Sequence, residues 1–578
     1  MFTEVLAVVA IAWAFFIACV CAIGDFFLFR YYRSVPPRAA VLSKPVEEIP
    51  HVTVLRPCKG LEPYLYECLA STFSQNYPRT KLSVYFCVSS RQDPAYPVIQ
   101  RVVRDHSGYD AHVFVEEEDD TSPDQQHIRV HLGPNPKIRN MSRAYREAKG
   151  DLIWIIDCNV WVDRGVCGQM VDRLCGFTAP GQSPARPFKL VHHLPISIDV
   201  EATSNDREAS RFSHDTPTTP LISSSTHSSG QISALLRHGG RLEELFLSSS
   251  HAKMYVAINA VAVAPCIVGK SNMFRKSHLD YLTSQAARHQ DPSVDAVTIS
   301  ARTGIDYFSH NICEDHLIGD LLWKSPSSRV PGLPTKIRNH GLVYGDLAIQ
   351  PVSGMTVGNY IARRVRWLRV RKFTVPVATL VEPGTESFLC SAYGAWGLTT
   401  SSYTRDIFGH TWAWFLVWIS IILVGWASVD RCVYILLHSG RTLDFQQQQL
   451  DRGNLHDSGS MEDQPVPRIP FFARPAGDGG PRRPFSSWLL AWLGRESLAL
   501  LIWTWAIWGG VTVTWRERRF WVGIDMKVHE IHDKDDRMNK GEGPLDGRSE
   551  RLDSANTSSR SSSIETGVRG GIEDQRVH

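Results

Sequence analysis

The 578-residue sequence predicts an α/β domain with a mostly parallel sheet, flanked by hydrophobic helices toward both ends of the chain. Two observations support this fold class. Short β-branched or aromatic runs alternate with helical patterns across residues 45–385, as in strands joined by crossover helices. Long uncharged apolar stretches occur near the N-terminus and again only in the last third of the chain, which indicates membrane helices on both sides of that domain.

The first apolar stretch, Val5–Gly24, is uncharged and has the length that spans about 30 Å of hydrocarbon. Glu4 precedes it and aromatic residues follow it, whereas a cleaved secretory signal begins with basic residues and ends at small ones. We therefore expect residues 1–30 to form a retained signal anchor. The arginines that follow predict that the next domain faces the cytosol.

Three short runs within residues 45–385 predict buried parallel strands: His51–Leu55, Ser83–Val88 and Asp151–Asp157. Helical patterns lie between and beside them, for example at Leu65–Phe73 and Ile138–Ala148. The alternation predicts one sheet with its ligand edge at the carboxyl ends of these strands.

The C-terminal third contains further apolar stretches that are rich in tryptophan, which favours membrane interfaces. Residues 386–437 predict a membrane hairpin, or an interfacial helix followed by a span at Thr411–Val429. A second stretch, Ser497–Trp515, predicts a transmembrane helix over residues 486–515. The basic residues leave the number and direction of these spans open.

Three polar segments lack the apolar residues of a core and are expected to be disordered: 204–231, 438–485 and the tail 527–578. They explain how a membrane protein can have a mean hydropathy of −0.17. The net charge of +3 is too balanced to indicate nucleic acid as a partner. The 12 cysteines are scattered and form neither a CxxC metal knuckle nor a disulfide framework.

Polar residues follow the predicted strands. Asp93 comes shortly after the second strand, and Asp157 ends the third. Each could simply cap the next helix, but several polar strand ends in one domain favour a nucleotide or phosphate site. Lys137, at the start of a predicted helix, is poorly placed for the helix dipole unless it binds an anion there.

Two later motifs are also ambiguous when taken alone. Glu314 and Asp315 precede a helical run and could be ordinary charges at a helix N-terminus. The run Arg363–Lys372 could pair with anionic lipid headgroups or could clamp a diphosphate, with Trp367 as an apolar wall.

Taken in order, these residues resemble the D, D, D, (Q/R)xxRW signature of family-two-like inverting glycosyltransferases. The resemblance is closest to the ceramide glucosyltransferase branch, in a version that looks fungal. It extends over VLRPCKG (54–60), NPKIRNM (135–141), DLIWIID (151–157), LVHHLP (190–195), GKSNMFRK (269–276), CEDH (313–316) and RRVRW (363–367).

The resemblance implies a GT-A fold and transfer of glucose from UDP-glucose to membrane-embedded ceramide, giving β-glucosylceramide. It also implies a divalent metal, Mg²⁺ or Mn²⁺, and a Golgi or ER membrane with the catalytic domain in the cytosol. One departure is Asp157-Cys158-Asn159, where related enzymes carry a second carboxylate. The oligomeric state is left open.

Roles follow for the residues that match the motifs. Asp93 matches the aspartate that holds the uridine, Asp157 the one beside the diphosphate and metal, and Asp315 the general base. The matching residues of the terminal motif, which face the diphosphate and acceptor, are Arg363, Arg366 and Trp367. The further expected donor-binding residues are Lys137 and Asn140, and the further expected acceptor-binding residues are His192 and Glu314.

Other functions share parts of this pattern. Processive polysaccharide synthases carry the same terminal tryptophan motif, usually with more membrane spans. A polyprenyl-phosphate sugar transferase would differ only in its acceptor. A membrane scaffold with an inactive transferase domain is the non-enzymatic alternative.

Overall fold

The apolar runs predicted as strands form the centre of a mixed sheet in the computed structural model. The strands are β1 (Val52–Pro57), β2 (Leu82–Val88), β3 (Asp110–Val115), β4 (Leu152–Ile156), β5 (Phe188–Asp199), β6 (Ser271–Arg275), β7 (Arg338–Val352), β8 (Thr512–Trp515), β9 (Arg518–Val522) and β10 (Val528–Glu530). The central sheet has the order β3-β2-β1-β4-β6-β5-β7. Paired strands are parallel except that β6 is antiparallel to β4 and β5, which confirms the predicted fold class.

Helices cover the sheet and extend from it. They are α1 (Phe2–Tyr31), α2 (Leu65–Ala70), α3 (Ala95–Asp105), α4 (Pro136–Arg146), α5 (Val166–Cys175), α6 (Gly239–Leu247), α7 (Ser250–Val261), α8 (Lys276–Gln290), α9 (Glu314–Lys324), α10 (Val357–Thr374), α11 (Pro376–Val381), α12 (Ser387–Thr400), α13 (Arg405–Phe408), α14 (Trp412–Leu437) and α15 (Phe485–Trp508). Short 3₁₀ helices occur at Ala40–Ser43, Val46–Glu48, Arg79–Lys81, Glu116–Thr121, Gly304–Phe308 and Glu382–Thr385.

The structure describes residues 1–121, 131–200, 238–290, 299, 302–326, 330–334, 336–445, 469–475, 480–515 and 518–531. The insertion predicted at 204–231 lies outside these residues, as do most of the loop predicted at 438–485 and most of the tail predicted at 527–578.

Consecutive apolar side chains of each strand point to opposite faces of the sheet, and both faces are buried. Trp154 of β4 packs in one cluster with Val54 of β1, while the next residue, Ile155, packs on the opposite face with Leu55. These side chains are at most 7% exposed. Because both faces are covered by helices, the carboxyl edge of β1, β2 and β4 remains as the place for a ligand.

Two helices, α1 and α14, are long and apolar enough to cross a membrane, which indicates a membrane protein. Helix α12 has 14 residues, about 21 Å, and is too short to span alone. It packs against α1, with Trp13 Nε1 donating to Gly384 O at 2.9 Å and Ser401 Oγ donating to Glu4 Oε1 at 2.7 Å. The region predicted at 386–437 is therefore a helical hairpin beside the N-terminal anchor.

The helix expected over residues 486–515 is shorter in the structure. Helix α15 ends at Trp508, because Gly510 takes a φ of 108° and the β-branched residues after it form β8. Arg483, just before α15, pairs with Glu244 of α6 at 3.0 Å, and Gly509, just after it, accepts from Arg369 of α10 at 2.6 Å. Both ends of α15 thus contact the α/β domain, and its crossing of a membrane stays a prediction.

A second correction concerns residues 527–531, which were expected to begin a disordered tail. Strand β10 pairs with β9, and β9 pairs with β8, in a three-stranded antiparallel sheet. The buried face of this sheet is formed by Val513, Phe520, Val522 and Val528. A short apolar alternation inside a polar region was too weak a signal to reveal it.

Candidate active site

The site is built where β4 ends and β6 begins. The antiparallel register places Ile156 opposite Ser271, so Asp157 lies opposite Lys270. The backbone N–H of Asp157 donates to the carbonyl of Lys270 at 3.2 Å, and Nζ of Lys270 donates to Asp157 Oδ2 at 2.9 Å. The strand register therefore sets the first ion pair of the site.

Helix α4 brings a second lysine to the same carboxylate. The side chain of Asn135 caps this helix by accepting from the backbone N–H of Lys137 at 2.8 Å. The Nζ atom of Lys137 lies 3.1 Å from Asp157 Oδ1 and 3.1 Å from Glu314 Oε1. Burial alone would lower the pKa of Lys137, but Asp157 and then Glu314 raise it above its usual range.

The three carboxylates of the cluster have different electrostatic environments. Burial would raise the pKa of Asp157, but Lys137 and then Lys270 hold it below its usual range, so Asp157 is ionised. For Glu314 and Asp315, burial outweighs the nearby lysine and raises the pKa. These two carboxyls bind a proton more readily than ordinary acidic side chains do.

Asp315 lies at the start of α9 and faces the backbone before β6. A Cβ built on Gly269 would lie 2.7 Å from Asp315 Oδ2, so the close approach of this carboxylate requires a residue without a side chain. Asp157, Lys137, Glu314 and Asp315, expected from the sequence to share a site, therefore do so.

Asp93 lies at the end of the loop that follows β2. Its Oδ1 accepts from the backbone N–H of Gly60 at 2.8 Å and of Ala95 at 2.9 Å. Asp93 thus holds the loop after β1 against the start of α3, which is a capping contact. The uridine role that the sequence resemblance implies for Asp93 stays a prediction.

Asn140 and Arg56 brace the neighbouring strand ends. Nδ2 of Asn140 donates to the carbonyls of Cys58 at 3.2 Å and Cys87 at 2.9 Å. The buried guanidinium of Arg56 donates to the carbonyl of Asp157 at 2.9 Å. Both side chains hold the strand ends in place, and the expected contact of Asn140 with the donor stays a prediction.

His192 is fully buried in β5, so its side chain has no exposed surface that a ligand could contact directly. Its Nδ1 accepts from the hydroxyl of Tyr255 at 2.6 Å, and its Nε2 lies 3.1 Å from Asn259 Oδ1. Burial, with His193 adding to it, lowers the pKa of His192 to about 3, so the ring is neutral. An effect of His192 on the acceptor would act through Tyr255 and Asn259.

The residues of the terminal motif lie on α10. Nε of Arg363 is 3.0 Å from Glu243 Oε1, and its Nη2 donates to Gln350 Oε1 at 3.3 Å. The Arg363 guanidinium lies 5.4 Å from the ring centre of Trp367. Arg366, half-buried, follows Arg363 by three residues and lies on the same side of the helix.

Two further cations of the basic run contact protein carbonyls. Arg369 donates to Gly509 O at 2.6 Å, and Lys372 donates to Gly510 O at 2.9 Å. Cations at the C-terminal end of a helix satisfy carbonyls that have no partner within it. These two side chains therefore hold the end of α15, which the sequence interpretation as a lipid-binding surface did not foresee.

Asp157 and Asn159 carry side-chain oxygens at the position where the sequence resemblance implies a divalent cation. Asp157 supplies a carboxylate, and Asn159 supplies a buried Oδ1 that has no hydrogen-bond partner within the described residues. In that part of the chain no group of three or more His, Cys, Asp or Glu side chains could hold a metal. Mg²⁺ is often bound through one or two carboxylates with substrate phosphates as further ligands, and the pair is compatible with that pattern.

Sequence reasoning missed three partners in this region. Lys270 was not singled out, although a lysine between a glycine and an apolar strand in the 269–276 stretch was an available signal. Glu243 and Tyr255 follow the polar insertion and gave no signal, because their partners Arg363 and His192 are remote in sequence.

The comparisons with known proteins agree with one another on the family. The family model described as glycosyl transferase family 21 matches residues 6–231 and 299–438. The ceramide glucosyltransferase of Pyricularia oryzae is 49% identical and covers 91% of this chain and 95% of its own. The ceramide glucosyltransferase of Gibberella zeae is 43% identical and covers 87% and 89%.

Among solved structures, the mannosyltransferase PcManGT from Pyrobaculum calidifontis, in complex with GDP-Man and Mn²⁺, is 13% identical with a TM-score of 0.33. It covers 74% of this chain and 99% of its own. The family match extends over more than half of the sequence, and the curated relatives match nearly end to end. The chain therefore belongs to glycosyltransferase family 21, together with the fungal ceramide glucosyltransferases.

Proposed function

We propose that the protein transfers glucose from UDP-glucose to the primary hydroxyl of ceramide, with inversion, to give β-glucosylceramide. The observation that carries the proposal is the cluster of Asp157, Lys137, Glu314 and Asp315 at the ligand edge of the sheet. The curated relatives named ceramide glucosyltransferase support the choice of donor sugar and acceptor.

Asp315 is the proposed general base. A lipid hydroxyl is a weak nucleophile at neutral pH and needs a carboxylate within hydrogen-bond reach. As the hydroxyl oxygen bonds to the anomeric carbon, its proton passes to Asp315, the bond to UDP breaks, and UDP leaves with the bonding electrons. Direct displacement on an α-linked donor gives the β-product. The raised pKa of Asp315 makes it a stronger base than an exposed aspartate.

The remaining roles concern the donor and acceptor. Asp157 and Asn159 would hold a divalent cation, which would offset the charge that develops on the departing diphosphate. Asp93 is proposed to hold the uridine, with Lys137 and Asn140 on the donor side. Arg363, Arg366 and Trp367 are proposed to face the diphosphate and acceptor, with Glu314 and His192 shaping the acceptor side.

The proposed location is a Golgi or ER membrane, with the α/β domain in the cytosol. The apolar helices α1 and α14 support a membrane location, and the basic residues after α1 support the orientation. A membrane-bound domain can reach an acceptor that does not leave the lipid phase.

The test uses purified full-length protein in detergent micelles with labelled UDP-glucose, UDP-galactose or GDP-mannose and a short-chain ceramide. A product with the mobility of glucosylceramide, formed from UDP-glucose alone, is expected. A polymer would instead select a polysaccharide synthase, and transfer only to a polyprenyl phosphate would select a polyprenyl-phosphate sugar transferase. Absence of any product from folded protein would favour the inactive scaffold.

Asp315→Asn should lower transfer by at least about 100-fold, because base catalysis contributes roughly 10²–10⁴-fold. Binding of UDP-glucose should persist, since the substitution removes a charge but keeps the size of the side chain. Glu48→Gln, an exposed carboxylate remote from the site, serves as the matched control. Turnover near the wild-type rate in Asp315→Asn would disprove the assignment.

A further inference from the structure

The two lysines of the cluster differ in how firmly they are held. Lys137 lies between two carboxylates, at 3.1 Å from Asp157 and 3.1 Å from Glu314. Lys270 contacts the other oxygen of Asp157 at 2.9 Å. Moving Lys137 would leave Glu314 without its cation, whereas Lys270 can turn away while Lys137 still neutralises Asp157.

Lys270 also has more hydrogen-bond donors than acceptors around it in the described residues. An ammonium group carries three N–H donors, and within the described residues its acceptor is the single carboxylate of Asp157. The Lys270 side chain is 11% exposed and that of Asp157 is 24% exposed, so the pair lies at an opening rather than inside the core. That opening is at the carboxyl end of β4, where ligands of open α/β sheets bind.

The charge of the cluster shows why a diphosphate needs this lysine. Asp157, Glu314 and Asp315 carry up to three negative charges against the two positive charges of Lys137 and Lys270. A diphosphate would meet net repulsion unless a cationic side chain turned toward it. Lys270 is the member of the cluster whose contacts allow that movement.

We propose that Lys270 binds the diphosphate of the sugar-nucleotide donor, and that Asp157 holds its ammonium group in place until the donor arrives. The inference rests on the proposed function and adds a donor-binding residue to it. The positive charge of Lys270 stabilises the departing UDP independently of any divalent cation held by Asp157 and Asn159.

The test compares Lys270→Met with wild-type protein in detergent micelles, with UDP and uridine as two competitive ligands. Dissociation constants are measured by calorimetry in buffer with Mg²⁺ and in buffer with EDTA. We expect Lys270→Met to weaken UDP binding at least tenfold in both buffers. Uridine binding should remain within twofold of wild type, because uridine has no phosphate for the lysine to contact.

Two further variants make the comparison specific. Lys276→Met changes another lysine of the same 269–276 stretch, one that pairs with Asp280 on α8, and should bind UDP like wild type. Lys270→Arg keeps the positive charge and should recover part of the UDP affinity.

Several results would overturn the inference. An unchanged UDP affinity in Lys270→Met would remove the lysine from the donor site. Equal losses for uridine and UDP would show that Lys270 only supports the fold of the site. A loss confined to Mg²⁺ buffer would mean that it acts through the metal site. Failure of wild-type protein to bind UDP would overturn the proposed donor as well.

Discussion

The side chain of Lys137 is 10% exposed, and its ammonium group lies between Asp157 and Glu314, which come from different parts of the chain. Asp157 follows β4, and Glu314 begins α9. A buried ion pair adds little net stability, but removing one partner leaves an uncompensated buried charge that costs about 3–5 kcal/mol. The same residue that is expected to serve the donor therefore also holds two elements of the site together.

Lys137→Met should lower the free energy of unfolding by about 3 kcal/mol, because Glu314 then remains buried without its cation, while Asp157 keeps Lys270. Adding Glu314→Gln should recover part of the loss, since it removes the unpaired charge. Denaturant unfolding in detergent micelles measures both values. A free energy of unfolding in Lys137→Met equal to that of wild type would show that the contacts of Lys137 do not stabilise the fold. A further decrease when Glu314→Gln is added would show that an unpaired charge is not the cause of the lower stability.

Single residues also show how far sequence reasoning reaches. Asp157, Glu314 and Asp315 could be selected because they stand at strand ends and helix starts in a recognisable order. The pairing of Asp157 with Lys270 could not be predicted, because the two residues are 113 positions apart and meet only through an antiparallel register. Contacts of that kind depend on which strands become neighbours.

At the scale of elements, the sheet β8–β10 bears directly on the site. The backbone N–H of Val528 donates to His310 O at 2.8 Å, and Asn311 Nδ2 donates to Met526 O at 2.9 Å. Ile312 and Cys313 pack against the buried face of the sheet. The segment 310–313 leads straight into Glu314 and Asp315, so this sheet fixes the start of α9.

Phe520→Ala should reduce transfer by about tenfold or more, because small displacements of a reacting group are costly to catalysis. Phe520 is fully buried in the sheet, and its loss removes about 3–5 kcal/mol of packing. UDP binding should stay close to wild type, since Asp157 and Lys270, the proposed donor-binding residues, are positioned by the register of β4 and β6 in the central sheet. Steady-state rates and UDP affinity together provide the measurement.

A chain ending after Ile531 keeps β8–β10 and serves as the control for that experiment. It should retain transfer activity, whereas a chain ending after Gly510 should not. Full activity of the shorter chain would show that the sheet is dispensable for positioning Asp315.

At the scale of the whole molecule, the fold accommodates several buried ionisable groups, and they link stability to pH. Asp346 on β7 is 4% exposed, and its Oδ2 has no hydrogen-bond partner in the described part of the chain. Burial, with Asp163 adding to it, raises the pKa of Asp346 to about 8. In the unfolded chain the same carboxyl ionises near its usual 3.8.

Between these two pKa values unfolding releases a proton, so this carboxyl lowers stability as pH rises, by up to about 1.4 kcal/mol per pH unit. Asp346→Asn removes the penalty and should stabilise the protein at pH 7.5 more than at pH 5.5. Unfolding midpoints at the two pH values measure the difference. Glu48→Gln, on an exposed side chain, should show no such pH dependence, and an equal effect of Asp346→Asn at both values would refute the assignment.

The fold class was predictable because it depends on local patterns. Apolar strands of limited length, helical patterns between them and long uncharged stretches each follow from a few adjacent residues, and the structure confirms the mostly parallel sheet. The secondary structure of the apolar stretch at 497–515 was harder to predict, because composition alone does not show that Gly510 ends the helix and that β8 pairs with β9.

The sequence by itself determined the α/β domain, the apolar N-terminal helix, the family and the order of the acidic residues. Only the tertiary structure decided that two lysines share Asp157, that Arg369 and Lys372 hold the end of α15, and that a terminal sheet braces the segment before Asp315. The physical reason is that ion pairs and packing depend on distances in space. Those distances are set by strand register and helix docking between segments far apart in the chain.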